Sequence, residues 1–379
     1  MDEKENGLST FLNHPPRFTP ASNNQPIIAP IYQTAKFVMH DTAPYGEQFL
    51  YTRVSNPTLT ELEMTLAKMQ GVDEGIVFGS GMAAITHTIL GLVKTGDHIL
   101  YFREIYRPTR VFFSQTCSRF GIESTMSPMG DFDQLEKNVR PGKSKILYFE
   151  SPSNPNLMVA EIKKLRDFAD KHKLLLVMDN TLAGPHQHKA TGVDLFIHSL
   201  TKFANGHGDV VAGAVLGRTE LIKKIKPMAI TLGATLDPHA AFLIQRGLRT
   251  YLLRYEKQTQ NAQALATYLR SEKKVKKVYY PDSELARSQM KDLGAIVSVE
   301  LDPAFGMTAQ KFSHKVKLIQ IAASLGSTET LINPTEIFFA DDLSKKDREE
   351  MGLNQYSLRI SVGLEDIEDI IRDFQNTLI

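Results

Sequence analysis

The chain has 379 residues, which at roughly 150 residues per domain gives about two domains, with core enough to fold without covalent staples. Its 44 basic and 43 acidic residues leave a net charge of +1, without the basic excess of a nucleic-acid or membrane-surface protein, and no apolar run approaches the roughly 18 residues of a membrane span. The single cysteine, Cys117, excludes a disulfide framework and a structural Cys-cluster metal site, and MDEKENGLST reads as lacking a signal peptide, so a reducing, cytoplasmic location is expected, with no nucleic acid and no membrane as partner.

Residues 1–50 read as an extended arm, because Pro15, Pro16, Pro20, Pro26, Pro30 and Pro44 all fall in it. From about Gly75 short apolar runs alternate with helical stretches. The runs are GIVF (75–78), HILYF (98–102), KILYFE (145–150), KLLLVMD (173–179), DLFIHS (194–199) and DVVAGAVLG (209–217). Their nearly continuous apolar character predicts strands buried on both faces of a parallel sheet. Met82–Val93 and Ile162–His172 carry helical periodicity between them, and VFFSQTCSRF is helix-like, with Cys117 as an inert, partly buried thiol. The pattern predicts a doubly wound α/β domain over 51–245. Beyond it, Leu252–Lys273 reads as a long polar helix, and AIVSVEL (295–301) and SLRISV (357–362) as alternating strands with one covered face. A terminal helix carries the stripe Leu364, Ile367, Ile370, Ile371, Phe374 and Leu378. Residues 246–379 therefore read as a smaller α+β domain.

Ligands of an open parallel sheet bind beyond the carboxyl ends of its strands. GIVF runs into Gly79-Ser80-Gly81-Met82, a glycine turn opening a helix whose N-terminus suits a phosphate, although it matches neither GxGxxG nor GxxxxGK[ST]. HILYF leads to Tyr106 in IYRPTR, and KILYFE to Asn154 in SPSNP. KLLLVMD closes on Asp179, an acid costly to bury unless a cation or several donors meet it. DLFIHS closes on Ser199-Leu200-Thr201-Lys202. Each of these alone is an ordinary loop residue or cap; five complementary strand ends on one edge point further. Pyridoxal 5'-phosphate asks for this combination: a lysine amine for its aldehyde, an acid for its ring nitrogen, and hydroxyls with a helix end for its phosphate. His186 and His188 lack a third ligand at metal spacing and read as loop histidines, so no metal is expected.

The segments YTRVSNPT (51–58), GSGMAAI (79–85), ESPSNP (150–155), VMDNT (177–181), HSLTKFANGHGDVVAG (198–213), RGLRT (246–250) and LRISVGLED (358–366) together resemble the cysteine/methionine-metabolism family of pyridoxal-phosphate enzymes. That family contains cystathionine γ-synthase, cystathionine β- and γ-lyases and methionine γ-lyase. The resemblance implies a fold-type I architecture, α/β with a mostly parallel sheet in a cofactor-binding large domain and a smaller α+β C-terminal domain. It makes Lys202 the cofactor lysine, Asp179 the partner of the ring nitrogen and Tyr106 the stacking ring. It gives Gly81, Met82, Ser199 and Thr201 to the phosphate. It also implies a homotetramer, a dimer of dimers in which Tyr51 and Arg53 reach the neighbouring subunit's site. Arg359 would grip the α-carboxylate of an amino-acid substrate, helped by Ser324, Asn154 and Tyr51. Alternation in SLRISV agrees, setting Arg359 apart from Leu358 and Ile360, though alone it would read as a solvated strand arginine.

Departures leave the reaction open. Tyr106 is followed by Arg107-Pro108-Thr109 where YGGT is common, a form like that of bacterial cystathionine β-lyases. SPSNP looks like the γ-lyase and γ-synthase branches. Ala323 and Leu50 stand where γ-enzymes often carry acids, NPTEIFFADD (333–342) replaces a histidine-bearing stretch, Gly208 replaces a usual serine, and Pro108 replaces the cysteine of methionine γ-lyases. The expected activity is a carbon–sulfur lyase acting on cystathionine or a related thioether amino acid, with β-elimination ahead of γ-elimination. The alternatives are a γ-replacement enzyme on an activated homoserine, a methionine γ-lyase, or a catalytically silent binding protein. The Lys202–Asp179–Arg359 set argues against the last.

Overall fold

The structure, a computed structural model, describes residues 7–18, 26–41, 44, 48–188, 192–339 and 341–378. Pro20 of the arm and Ala340 of NPTEIFFADD lie outside the described residues. The strands among them are β1 (Glu74–Phe78), β2 (His98–Phe102), β3 (Glu123–Ser127), β4 (Ser144–Glu150), β5 (Leu175–Asp179) and β6 (Leu195–Ser199). They continue with β7 (Gly213–Gly217), β8 (Val275–Tyr279), β9 (Ile296–Leu301), β10 (Gln320–Ile321), β11 (Leu331–Pro334) and β12 (Ser357–Ser361). Two compact units result, one of Met1–Leu92 with Leu195–Leu252 and one of Val93–Asp194 with Leu253–Ile379.

In the first unit β7 pairs with β1 and with β6, antiparallel to both. This corrects the expectation of a parallel strand over DVVAGAVLG. Only Gly213–Gly217 is strand, fully buried, and continuous apolar character reports cover on both faces, not direction. Phe78 and Ser199 both register with Gly213, so the carboxyl ends of β1 and β6 flank it. The glycine turn after β1 sits against the start of β7 because neither partner carries a side chain there. A Cβ on Gly213 would lie 2.3 Å from the Ser80 carbonyl oxygen, and one on Gly81 would lie 3.0 Å from Ser199 Cβ. Helix Gly81–Leu92 then begins, with Ser80 Oγ accepting from the Ala83 amide at 3.0 Å as its cap. Helix Pro57–Gln70 starts in the same way, on Asn56 and a first-position proline. The arm includes one short helix, Leu8–Asn13, which stops before Pro15 and Pro16 and buries Leu12.

In the second unit β5, β4, β2 and β3 pair in that order, all parallel. Helix Ile162–His172 forms as its periodicity predicts and buries Leu165, Phe168 and Ala169. VFFSQTCSRF is helical with a π turn at Phe112–Thr116, and Cys117 is wholly buried, its thiol pushed up to about 12 by desolvation. A second sheet runs β10-β11-β12-β9-β8, antiparallel except at β10–β11. One face carries the core: Val297, Val299, Leu358 and Ile360 pack with Ala262, Leu265 and Leu269 of helix Tyr251–Ser271 and with Ile370 and Phe374 of helix Ile367–Thr377. The expectation of a solvated opposite face is corrected. Every residue of β9 and β12 is buried, because loops cover the polar side: Ser298 Oγ donates to the Pro155 carbonyl at 2.6 Å, and Ser361 Oγ accepts from the Gly326 amide at 2.8 Å. Among the described residues no helix is long and apolar enough to cross a membrane.

The contact at Gly213 is testable. Gly213→Ala should destabilise the protein by about 1–3 kcal/mol through overpacking, read as a lower denaturant midpoint. A wild-type midpoint would contradict the close approach.

Candidate active site

The site residues named from the sequence fall into two groups, one in each unit. In the first, Ser199 ends β6 and the chain turns at once. The Lys202 amide donates to the Ser199 carbonyl at 3.2 Å, and the Gly206 amide donates to the Lys202 carbonyl at 2.8 Å. Thr201 Oγ1 accepts from the Ala212 amide at 3.0 Å, which ties the turn to the residues entering β7. Ser199, Thr201 and Lys202 are half-buried, as are Gly81 and Met82 at the neighbouring strand end. A glycine turn, a helix N-terminus and two hydroxyls thus gather at one edge, an arrangement that favours an anion. Tyr51 and Arg53 lie in the same unit and are exposed; the Arg53 guanidinium sits 5.2 Å from the centre of the Tyr51 ring.

In the second unit, parallel pairing places Glu150 and Asp179, the last residues of β4 and β5, directly opposite one another. Both are buried. Asp179 Oδ1 accepts from the Thr181 amide at 3.0 Å and Oδ2 from the Tyr148 hydroxyl at 3.2 Å. Burial raises its carboxyl above the ordinary range, and no cation pairs with it among the described residues. Glu150 is raised further, by burial first and the Asp179 charge second. Its Oε1 accepts from the Tyr106 amide at 2.7 Å, which anchors the loop that leaves the Tyr106 ring 42% exposed.

The same unit gathers Arg359, Asn154 and Ser324. Arg359 projects from the polar face of β12 and is only 3% exposed, so it is not the solvated strand arginine that its alternation alone would suggest. Nη1 donates to Asn154 Oδ1 at 2.9 Å and Nη2 to the Ser324 carbonyl at 3.1 Å. Burial lowers its pKa to about 10, so the guanidinium is charged at neutral pH. His186 and His188 are buried and hydrogen-bonded, His188 Nδ1 to Asn180 Oδ1 at 2.7 Å and His186 to Gln187, with Asp292 3.5 Å away.

Glu150 and Tyr148 were not among the residues named from the sequence. The signal was present, since KILYFE ends on an acid just as KLLLVMD does. A third feature left no local trace at all: Arg107 and Arg110, beside Tyr106, pair with Asp341 and Asp342.

These residues fit pyridoxal phosphate. Asp179 is a buried carboxyl met by hydrogen bonds from Thr181 and Tyr148 and, among the described residues, by no cation, which a protonated ring nitrogen would supply. Tyr106 offers an aromatic face, and the Gly81 edge is an anion cradle that a Cβ would crowd.

Comparison with known proteins bears on the same point. The profile of the family described as Cys/Met metabolism PLP-dependent enzyme matches residues 13–379. The L-methionine γ-lyase of Fusobacterium nucleatum subsp. nucleatum is 36% identical across 100% of this chain and 99% of its own. The cystathionine β-lyase of Lactococcus lactis subsp. cremoris is 35% identical across 93% of this chain and 94% of its own. The crystal structure of cystathionine γ-lyase from Lactobacillus plantarum complexed with L-serine matches with a TM-score of 0.91 at 32% identity, over 98% of both chains. The chain therefore belongs to the Cys/Met metabolism family of pyridoxal-phosphate-dependent enzymes, with the fold-type I α/β architecture and the cofactor of that family.

Proposed function

We propose that this protein is a carbon–sulfur lyase of thioether amino acids, with cystathionine as its substrate and β-elimination ahead of γ-elimination. Arg359 carries the reading. A buried, charged guanidinium, oriented by Asn154 and the Ser324 carbonyl, presents a fork suited to the α-carboxylate of an amino acid. The names of the lyase relatives support carbon–sulfur cleavage. The IYRPTR loop, the absence of an acid at Leu50 and Ala323, and the replaced histidine stretch favour the β side. Methionine γ-elimination is the second reading, supported by the name of the Fusobacterium relative and by the apolar character of Leu50 and Ala323.

When bound, pyridoxal phosphate supplies an aldehyde for amines and a ring that draws electrons from the substrate's Cα. Gly81, Met82, Ser199 and Thr201 bind its phosphate, and Tyr106 stacks on its ring. Asp179 holds a proton at the ring nitrogen, and that positive charge in turn favours the ionised carboxylate that burial alone opposes. Lys202 is the amine that would carry the cofactor and then remove the α-proton, and Arg359, Asn154, Ser324 and Tyr51 would hold the substrate. The protein works in the cytoplasm as a homotetramer, a dimer of dimers. Tyr51 and Arg53 complete the phosphate site of the neighbouring copy, a role their exposure permits. The working division is an arm over 1–50, the cofactor domain over 51–245 and the C-terminal domain over 246–379.

Lys202→Ala should lose both turnover and the visible absorbance that lysine attachment gives the cofactor; a colourless-to-yellow titration and activity like the wild type would defeat the assignment. Mixing inactive Arg53→Ala with inactive Lys202→Ala should restore part of the activity by forming one intact site per dimer. No recovery after demonstrated subunit exchange would argue against shared sites. Product analysis decides the reaction: pyruvate with homocysteine from cystathionine marks β-cleavage, and 2-oxobutyrate with cysteine marks γ-cleavage. 2-Oxobutyrate from methionine, with cystathionine untouched, would establish the second reading instead.

A further inference from the structure

The loop bearing Tyr106 is held by contacts to which the proposed chemistry gives no part. Arg110 is 2% exposed. Its Nη1 donates to the carbonyls of Arg103, at 3.1 Å, and of Ile105, while Nε and Nη2 form a two-pronged pair with Asp342, each at 2.8 Å. The peptide group joining Ile105 to Tyr106 is therefore gripped at both ends. Its carbonyl accepts from Arg110, and its N–H donates to Glu150 Oε1 at 2.7 Å. Arg107, one residue past Tyr106, reinforces the arrangement by donating from Nη2 to Asp341 Oδ2 at 2.6 Å.

A peptide plane with both polar ends fixed has little freedom to rotate, and Tyr106 springs directly from it as the N-cap of helix Arg107–Val111. A planar guanidinium with five donors can serve two carbonyls and a carboxylate at once, which an ammonium cannot reproduce in the same geometry. The two departures from the family pattern, RPTR after Tyr106 and the acidic close of NPTEIFFADD, are thus each other's partners across 232 residues of chain.

We propose that Arg110, locked by Asp342, and Glu150 are positioning residues for Tyr106, setting the tilt of its ring by clamping the peptide group before it. The inference rests on the reading of Tyr106 as the ring that meets the cofactor, and it adds the Arg110–Asp342 salt link as the device that holds that ring.

The test is a double-mutant cycle in holoenzyme, read by kcat, KM and the visible circular dichroism of the bound cofactor. Asp342→Asn should retain full cofactor content and KM, lower kcat by about ten- to a hundredfold, as misplacement near 1 Å does, and alter the dichroism. Asp342→Glu should recover part of both. In a Tyr106→Ala background the same Asp342→Asn change should cost nothing more, since the ring through which it acts is gone. A full additional loss in that background, or wild-type kcat and dichroism in Asp342→Asn itself, would overturn the positioning role while leaving Tyr106 in place. A Tyr106→Ala enzyme with unaltered kcat and dichroism would instead defeat the reading of Tyr106, and this inference with it. If Asp342→Asn does not fold, Asp342→Glu, which keeps the charge and moves the fork by one methylene, takes its place in the cycle and must show the same non-additivity.

Discussion

Two carboxyl groups buried next to one another, Glu150 and Asp179 at the ends of β4 and β5, set the demand that the second unit is organised to meet. Burying one carboxylate without a partner is expensive, and burying two at adjacent strand ends adds their mutual repulsion. Hydrogen bonds answer part of the demand: Thr181 and Tyr148 to Asp179, the Tyr106 amide to Glu150. The protonated ring nitrogen proposed at Asp179 would answer the rest, since such a ring and the acid would stabilise each other's charge.

In the first unit the constraint is space. Where β1 and β6 end beside Gly213, backbone meets backbone so closely that side chains at Gly81 and Gly213 would collide with Ser199 and Ser80. That closeness sets the glycine turn, the hydroxyls of Ser199 and Thr201 and the chain around Lys202 along one edge. Glycine serves here through the absence of a side chain, not through an unusual backbone angle.

Electrostatic compensation accounts for the chain's own variations on its family. Arg103, Arg107 and Arg110 all lie within the segment around Tyr106, and all three find acids in the stretch that follows Phe339. Arg103 reaches Asp347 and Glu350, Arg107 reaches Asp341, and Arg110 reaches Asp342. A buried arginine without its carboxylate would be strongly destabilising, so two sequence features that look like separate substitutions are physically one.

The sequence by itself determined the elements whose signals are local. The apolar runs became β1, β2, β4, β5 and β6, helix Ile162–His172 formed over the residues its periodicity marks, and the strand-end residues announced the cofactor's chemistry. Edge strands β3 and β8 left no such signal because they are partly exposed and carry polar residues, so neither alternation nor a continuous apolar run marks them. Only the tertiary structure decided the rest. β7 runs antiparallel because strand direction is chosen by its pairing partners, β1 and β6, and not by its own composition. The polar face of β12 is buried because loops distant in sequence cover it, and that cover turns Arg359 from a surface residue into a buried, oriented charge. The pairing of Arg110 with Asp342 had no counterpart in any window of sequence, since a salt bridge is specified by proximity in space and its two halves lie 232 residues apart.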